Sequence, residues 1–142
     1  MGVNLVQADD GSMGIQGKDL DVGAFIMAEC EYGAAAVDKV FFVAPRALRA
    51  TNAILRVTVA GTDAGAVSAV LRKVPSGTAI TAGTAINSGS VNLKGTADTN
   101  QLFTMSVVAG AVNLAAGDAL AVDFTGVLTS AIGTFCVGLT AL

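Results

Sequence analysis

The chain has no histidine, no tryptophan, one tyrosine and six phenylalanines in 142 residues. Without histidine it lacks the commonest general base at neutral pH and the commonest imidazole metal ligand. A Ser-His-Asp triad and any histidine-bearing zinc site are therefore excluded. The two cysteines, Cys30 and Cys136, stand far apart with no CxxC spacing. They are too few for a zinc site of their own and read as small buried apolar residues in preference to a disulfide. No GxSxG elbow, GxxxxGK[ST] phosphate loop or GxGxxG nucleotide turn occurs. No cofactor and no metal are expected.

Charge is also scarce. Asp, Glu, Lys and Arg make up 13% of the chain, against about 25% in an ordinary soluble domain. Such a chain either hides surface against another protein or coats itself with Thr, Ser and Gly. The net charge of −3 argues against nucleic acid, whose binders need basic residues to displace phosphate counterions. The few charges are unevenly spread. Up to Asp38 there are seven acids and one base, Lys18; from Lys39 onward there are seven bases and four acids. Residues 1–36 therefore read as an acidic N-terminal arm or an added edge element. They also lack the basic start of a secretory signal.

What the chain does have is small apolar residues and period-two alternation. Alanine fills 26 positions and valine 18, so the 53% hydrophobic content is mostly small side chains. Alternation begins at Val37. VDKVFFVAP is a strand ended by Pro45, which has no N–H for a ladder bond. In TNAILRVTVAG, Ala53, Leu55, Val57 and Val59 share one face. GTDAG then supplies a turn, and AVSAVLRKV reads as the returning arm of a hairpin. The echo of Gly77-Thr78-Ala79-Ile80 in Gly83-Thr84-Ala85-Ile86 is too short for a β-helix, and this stretch reads as a loop-rich crossing between sheets. A short strand follows near Val91–Leu93. QLFTMSVV puts Phe103, Met105 and Val107 on one face, and the last strand, near Thr134–Thr140, buries Phe135, Val137 and Leu139. The final 19 residues carry no side-chain charge, but their recurrent Thr and Gly suit strands better than a membrane helix. Residues around Phe25–Glu31 fit an arm, an edge strand or a short helix equally well.

The candidate chemistry is carboxylate chemistry. Asp118 and Asp123 lie five positions apart in LAAGDALAVDFTG. As a glycosidase pair they would have to face one cleft about 5–10 Å apart. Alternation places Asp118 in the turn before the strand ALAVDF, bonded to nearby backbone, and Asp123 on its outer side, opposite Leu120, Val122 and Phe124. Asp9-Asp10, Asp19 with Asp21, and Glu29 with Glu31 have spacings a calcium ion tolerates, but none follows an EF-hand loop, and solvated carboxylates are the better reading. The expectation is a non-enzymatic, all-β chain: a jelly-roll-like antiparallel β-sandwich over residues 37–142, with an N-terminal extension. An immunoglobulin-like sandwich would need a core tryptophan that is not there.

As a whole, VDKVFFVAPRALRATNAILRVTVAGTDAGAVSAVLRKVPSGTAITAGTAI, NLKGTADTNQLFTMSV and LAAGDALAVDFTGVLTSAIGTFCVGL resemble the jelly-roll cement, or decoration, proteins of tailed bacteriophages. VPSGTAITAGT and LAAGDALAVDFTG are the most telling pieces. The resemblance spans roughly residues 37–142 and leaves the acidic leader unaccounted for. It implies a virion protein on the outside of an icosahedral capsid, bound to the major capsid protein and to itself as a dimer or trimer. Neither nucleic acid nor membrane is expected as a partner. The contact residues expected are Asp19, Asp21, Glu29, Glu31, Arg46 and Arg49. A carbohydrate- or receptor-binding module of a fibre or surface layer is the alternative, disfavoured by the shortage of aromatic platforms for sugars.

Overall fold

The computed structural model describes the backbone of Leu5–Gln7 and Met13–Ile15 and the whole of residues 25–142. The first two pieces, β1 and β2, pair antiparallel with each other. The body is built from β3 (Phe25–Tyr32), β4 (Lys39–Val43), β5 (Leu48–Val59), β6 (Ser68–Val74), β7 (Thr84–Ala85), β8 (Val91–Asn92), β9 (Thr99–Leu102), β10 (Asn113–Leu114), β11 (Ala119–Thr125) and β12 (Ile132–Ala141). Among the described residues there is no α-helix, only a one-turn 3-10 helix at Ile80–Ala82.

The strands form two antiparallel sheets. In the first, the order is β10 and β9 side by side on one edge of β5, then β5, β12 and β3. In the second, the order is β4, β11, β6, with β7 and β8 both on the far edge of β6. The nesting of partners defines the topology. β3 pairs with β12, β4 with β11, β5 with β9 and β10, and β6 with β7 and β8. The outermost strands in sequence meet last, as in one long hairpin rolled over on itself. That is a jelly roll, and the all-β sandwich expected from alternation is the fold.

Alternation also names the core. Ala53, Leu55 and Val57 of β5, Leu120 and Val122 of β11, and Phe135, Val137 and Leu139 of β12 are essentially inaccessible. Phe135 stands between Tyr32 and Phe103, with ring centroids at 5.1 and 6.0 Å, and Phe124 lies at 6.1 Å. These tilted pairs give a core poor in rings one tight aromatic centre. In β5 both Ala50 and Ala53 are buried, because a register shift between Gly138 and Leu139 leaves Thr51 as an extra residue in the ladder.

Several expectations change. β5 and β6 are not a hairpin: they lie in different sheets, and residues 60–67 cross between them. Period two tells which face of a strand is buried, not which sheet the strand joins. The crossing is fixed by Gly61 N–H donating to Leu93 O at 3.0 Å and Thr62 N–H to Thr129 O at 3.0 Å. The stretch after Pro75 stays in the second sheet as β7 and β8, and the crossing back comes after β8. The QLFTMSVV strand stops at Leu102. Phe103 is buried and Met105 packs on the core, but Val107 is 97% exposed. Val59 is partly exposed at the end of β5. The residues that fitted three readings, around Phe25–Glu31, lie in an edge strand, Phe25–Tyr32, zipped to β12. The uncharged C-terminal stretch holds the end of β11, a turn and β12, and no helix among the described residues is long and apolar enough to cross a membrane.

Candidate functional site

The two outer faces of the sandwich differ. On the second sheet, Asp123 points outward and meets Arg72, whose Nε donates to Oδ2 at 2.6 Å. The same guanidinium donates through Nη1 to Gly83 O at 2.9 Å, tying down residues 75–83. The 3-10 turn in that segment packs against β11 and β6, and Ala121 and Val74 are buried. Over β6 and β11 this face is covered by its own chain, while Val40 and Val43 on β4 stay 45% and 57% exposed. Asp118 lies in the turn before β11, where Oδ2 accepts the Ala115 N–H at 2.9 Å. The two carboxylates thus have separate partners and separate structural tasks, as alternation implied. Among the described residues no three Cys, Asp or Glu side chains come together as a metal cage.

The first sheet has no such cover among the described residues. Because β12 runs between β3 and β5, its registers write the outer face as rows: Glu31–Thr134–Arg56–Asn100, Glu29–Cys136–Ile54–Leu102, Met27–Gly138–Asn52 and Phe25–Thr140–Arg49. Phe25, Met27 and Leu102 are 55%, 50% and 77% exposed, so the face mixes bare apolar side chains with few charges. Its acids stand on β3 and its bases on β5, with uncharged residues of β12 between them.

Two local contacts shape this face. A Cβ on Gly138 would fall 2.1 Å from Asn52 Oδ1 and 2.7 Å from Phe25 Cζ. Glycine there lets the Phe25 ring and the Asn52 carboxamide meet over β12. Arg56 Nη2 lies 3.5 Å from Asp98 Oδ1, with both side chains well exposed, so the contact is weak.

The thiols fall on opposite sides of the sheet. Cys30 faces the core, and burial pushes its pKa up. Cys136 is only half-buried, on the outer face, which corrects its reading as a core residue. Burial raises its pKa too, helped by the adjacent Glu29 carboxylate. Tyr32 is the one side chain among the described residues with a buried polar atom that lacks a partner, its hydroxyl. Burial raises its pKa to about 12.

Of the expected contact residues, Asp19 and Asp21 lie outside the described residues. Glu29 and Glu31 are exposed on the outer face of β3, and Arg49 is exposed on the same face at its other end. Arg46 is half-buried in the corner between β4 and β5. Sequence reasoning passed over Arg56, Phe25 and Met27. Only the strand register puts them beside the others. An open cleft of about 600 Å³ lies between residues 64–68 and 90–94, with Ser68, Ser90, Asn92 and Lys94 among its walls and no aromatic side chain.

No protein-family model and no curated protein sequence matches this chain. Three solved structures show a partial likeness to this chain. One comes from work on Bacillus endospore appendages, a family of disulfide-linked pili: 17% identity, TM-score 0.43, covering 84% of this chain and 88% of that one. The others are infectious bursal disease virus structures. The Gx strain shows 12% identity and a TM-score of 0.37 over 98% of this chain and 36% of that chain. The Gt strain shows 13% identity and a TM-score of 0.33 over 98% and 38%.

Proposed function

We propose that this chain is a non-enzymatic structural protein of a virion, a cement protein that binds the outside of an icosahedral phage capsid and stabilises contacts between major capsid protein subunits. The observation that carries this reading is the outer face of the first sheet, which none of the described residues covers. It presents Phe25, Met27 and Leu102 to solvent beside only a few charged groups, which is the make-up of a surface completed by another protein. The contacts to the capsid or to sister subunits are assigned to Asp19, Asp21, Glu29, Glu31, Arg46 and Arg49. Each patch is small. A dimer or trimer gripping several capsid subunits at once gains affinity through effective concentration, so modest contacts suffice. The rigid double sheet then carries load between neighbouring subunits against the pressure of packaged DNA.

The glycan-binding alternative gains nothing from the cleft at residues 64–68 and 90–94, which has no ring for a sugar to stack on. The test is to mix the purified protein with undecorated capsids. Binding with a raised capsid melting temperature is expected. Absence of binding, or binding without added resistance to heat, would overturn the reading.

A further inference from the structure

We infer that two copies of this chain pair through the outer faces of their first sheets, about a twofold axis that runs along β12. The inference deepens the self-association in the functional reading above and rests on that part of it alone. It follows from the register. Acids occupy the outer face of β3 and bases that of β5, and β12 lies midway. Adjacent strands are about 4.8 Å apart, so the two columns lie roughly 5 Å to either side of β12. A rotation of 180° about an axis along β12 keeps each residue at its own level and exchanges left for right. Glu31 of one copy therefore meets Arg56 of the other, since both share the Thr134 row. The contact occurs twice, giving two symmetric ion pairs. An axis across the strands would instead stack β3 on β3 and lose every opposite-charge contact.

Size and shape fit the same arrangement. Four strands and about eight residues along them give roughly 500 Å² per partner, or about 1,000 Å² in all, the lower bound for a specific interface. Thr134 and Thr140 on the axis are small enough to let the sheets approach there. The weak contact between Arg56 and Asp98 at 3.5 Å leaves the guanidinium able to turn to a stronger partner. Among the described residues Glu31 has no ion pair.

The test uses the whole chain in the absence of capsids, so its outcome is separate from capsid binding. Sedimentation is expected to show a dimer. Glu31→Arg and Arg56→Glu should each weaken it by about tenfold or more, because two symmetric pairs turn repulsive together. An equimolar mixture of the two variants should restore the dimer, because both cross-pairs are again opposite in charge. A short bismaleimide should link Cys136 to its twin, which lies across the axis, and Cys136→Ser should abolish the link. A monomeric wild type, a dimer indifferent to both charge reversals, or a mixture that fails to recover would each overturn the inference. Dimerisation with no Cys136 link would place the interface elsewhere and overturn it equally.

Discussion

Asn87 completes a strand that is not its own: its Oδ1 accepts the Leu71 N–H at 2.8 Å, while Ile86 N–H donates to Leu71 O at 2.9 Å. Nδ2 donates to Gly89 O at 2.7 Å, so both polar atoms of this buried carboxamide have a partner. The side chain stands in for the backbone of a neighbouring strand where β7 has already ended. Replacing it by leucine would leave the Leu71 N–H buried without a partner. Asn87→Leu is expected to cost about 1–3 kcal/mol, read as a lower urea midpoint with an unchanged slope. An unchanged midpoint would show that this bond is not required.

Tyr32 offers the opposite case, a buried hydroxyl with no partner. Tyr32→Phe keeps the ring against Phe135 and Phe124 and removes only the unsatisfied oxygen. It should be neutral or stabilising by up to about 1 kcal/mol at pH 7. The pH dependence follows from a folded pKa raised to about 12, against about 10 in the unfolded chain. Between these values the unfolded state has lost the proton and the folded state retains it, so stability falls as pH rises. The wild type should lose roughly 2 kcal/mol across that window relative to Tyr32→Phe. This is the only tyrosine in the chain, so tyrosinate absorbance reports the site directly, and a native midpoint near 10 would contradict the assignment.

The thiols make a third prediction. Cys30 is 4% exposed and Cys136 half-buried on the outer face. In the Glu31→Arg variant, where the paired face is open, an aromatic disulfide reagent should titrate one thiol under native conditions and two after denaturation. The native reaction should be slow, because burial and the Glu29 charge both disfavour the thiolate. Glu29→Gln should speed it at fixed pH. Rapid modification of both thiols in the native state would contradict this placement.

Much of the fold was legible because alternation is a one-dimensional signal. Leu120 and Val122 inward, Asp123 outward, Asp118 in its turn, and Phe135, Val137 and Leu139 in the last strand all follow from neighbours a few residues away. The hairpin expected from TNAILRVTVAG and AVSAVLRKV was wrong because partner choice is not local. β5 takes β12 and β9, whose residues lie some distance along the chain, and nothing in GTDAG distinguishes a tight return from a crossing. β3 was hidden for another reason: Phe25 and Met27 are apolar on its outer face, which blurs the alternation of Ile26, Ala28 and Cys30. The candidate face was the least legible part. Glu31 and Arg56 become row-mates only through Thr134, which is far from both in sequence.

The Arg72–Asp123 pair supplies the last prediction, because it decides what the conspicuous carboxylate is for. The side chains are 22% and 14% exposed and meet at 2.6 Å. A charge-assisted bond at that depth is worth more than a surface pair, but removing one partner strands the other. Asp123→Asn should therefore cost about 1–3 kcal/mol. Arg72→Met should cost a similar amount and also free the 75–83 segment, because its bond to Gly83 O is lost as well. That loosening should appear as faster proteolysis within 75–83, which Asp123→Asn should produce more weakly. The double variant Arg72→Met with Asp123→Leu should recover part of the thermal stability, since neither charge is then left alone. Asp118→Asn should behave differently, with a small loss traceable to the Ala115 turn. A loss of capsid binding on Asp123→Asn at unchanged stability would show instead that this carboxylate serves a partner.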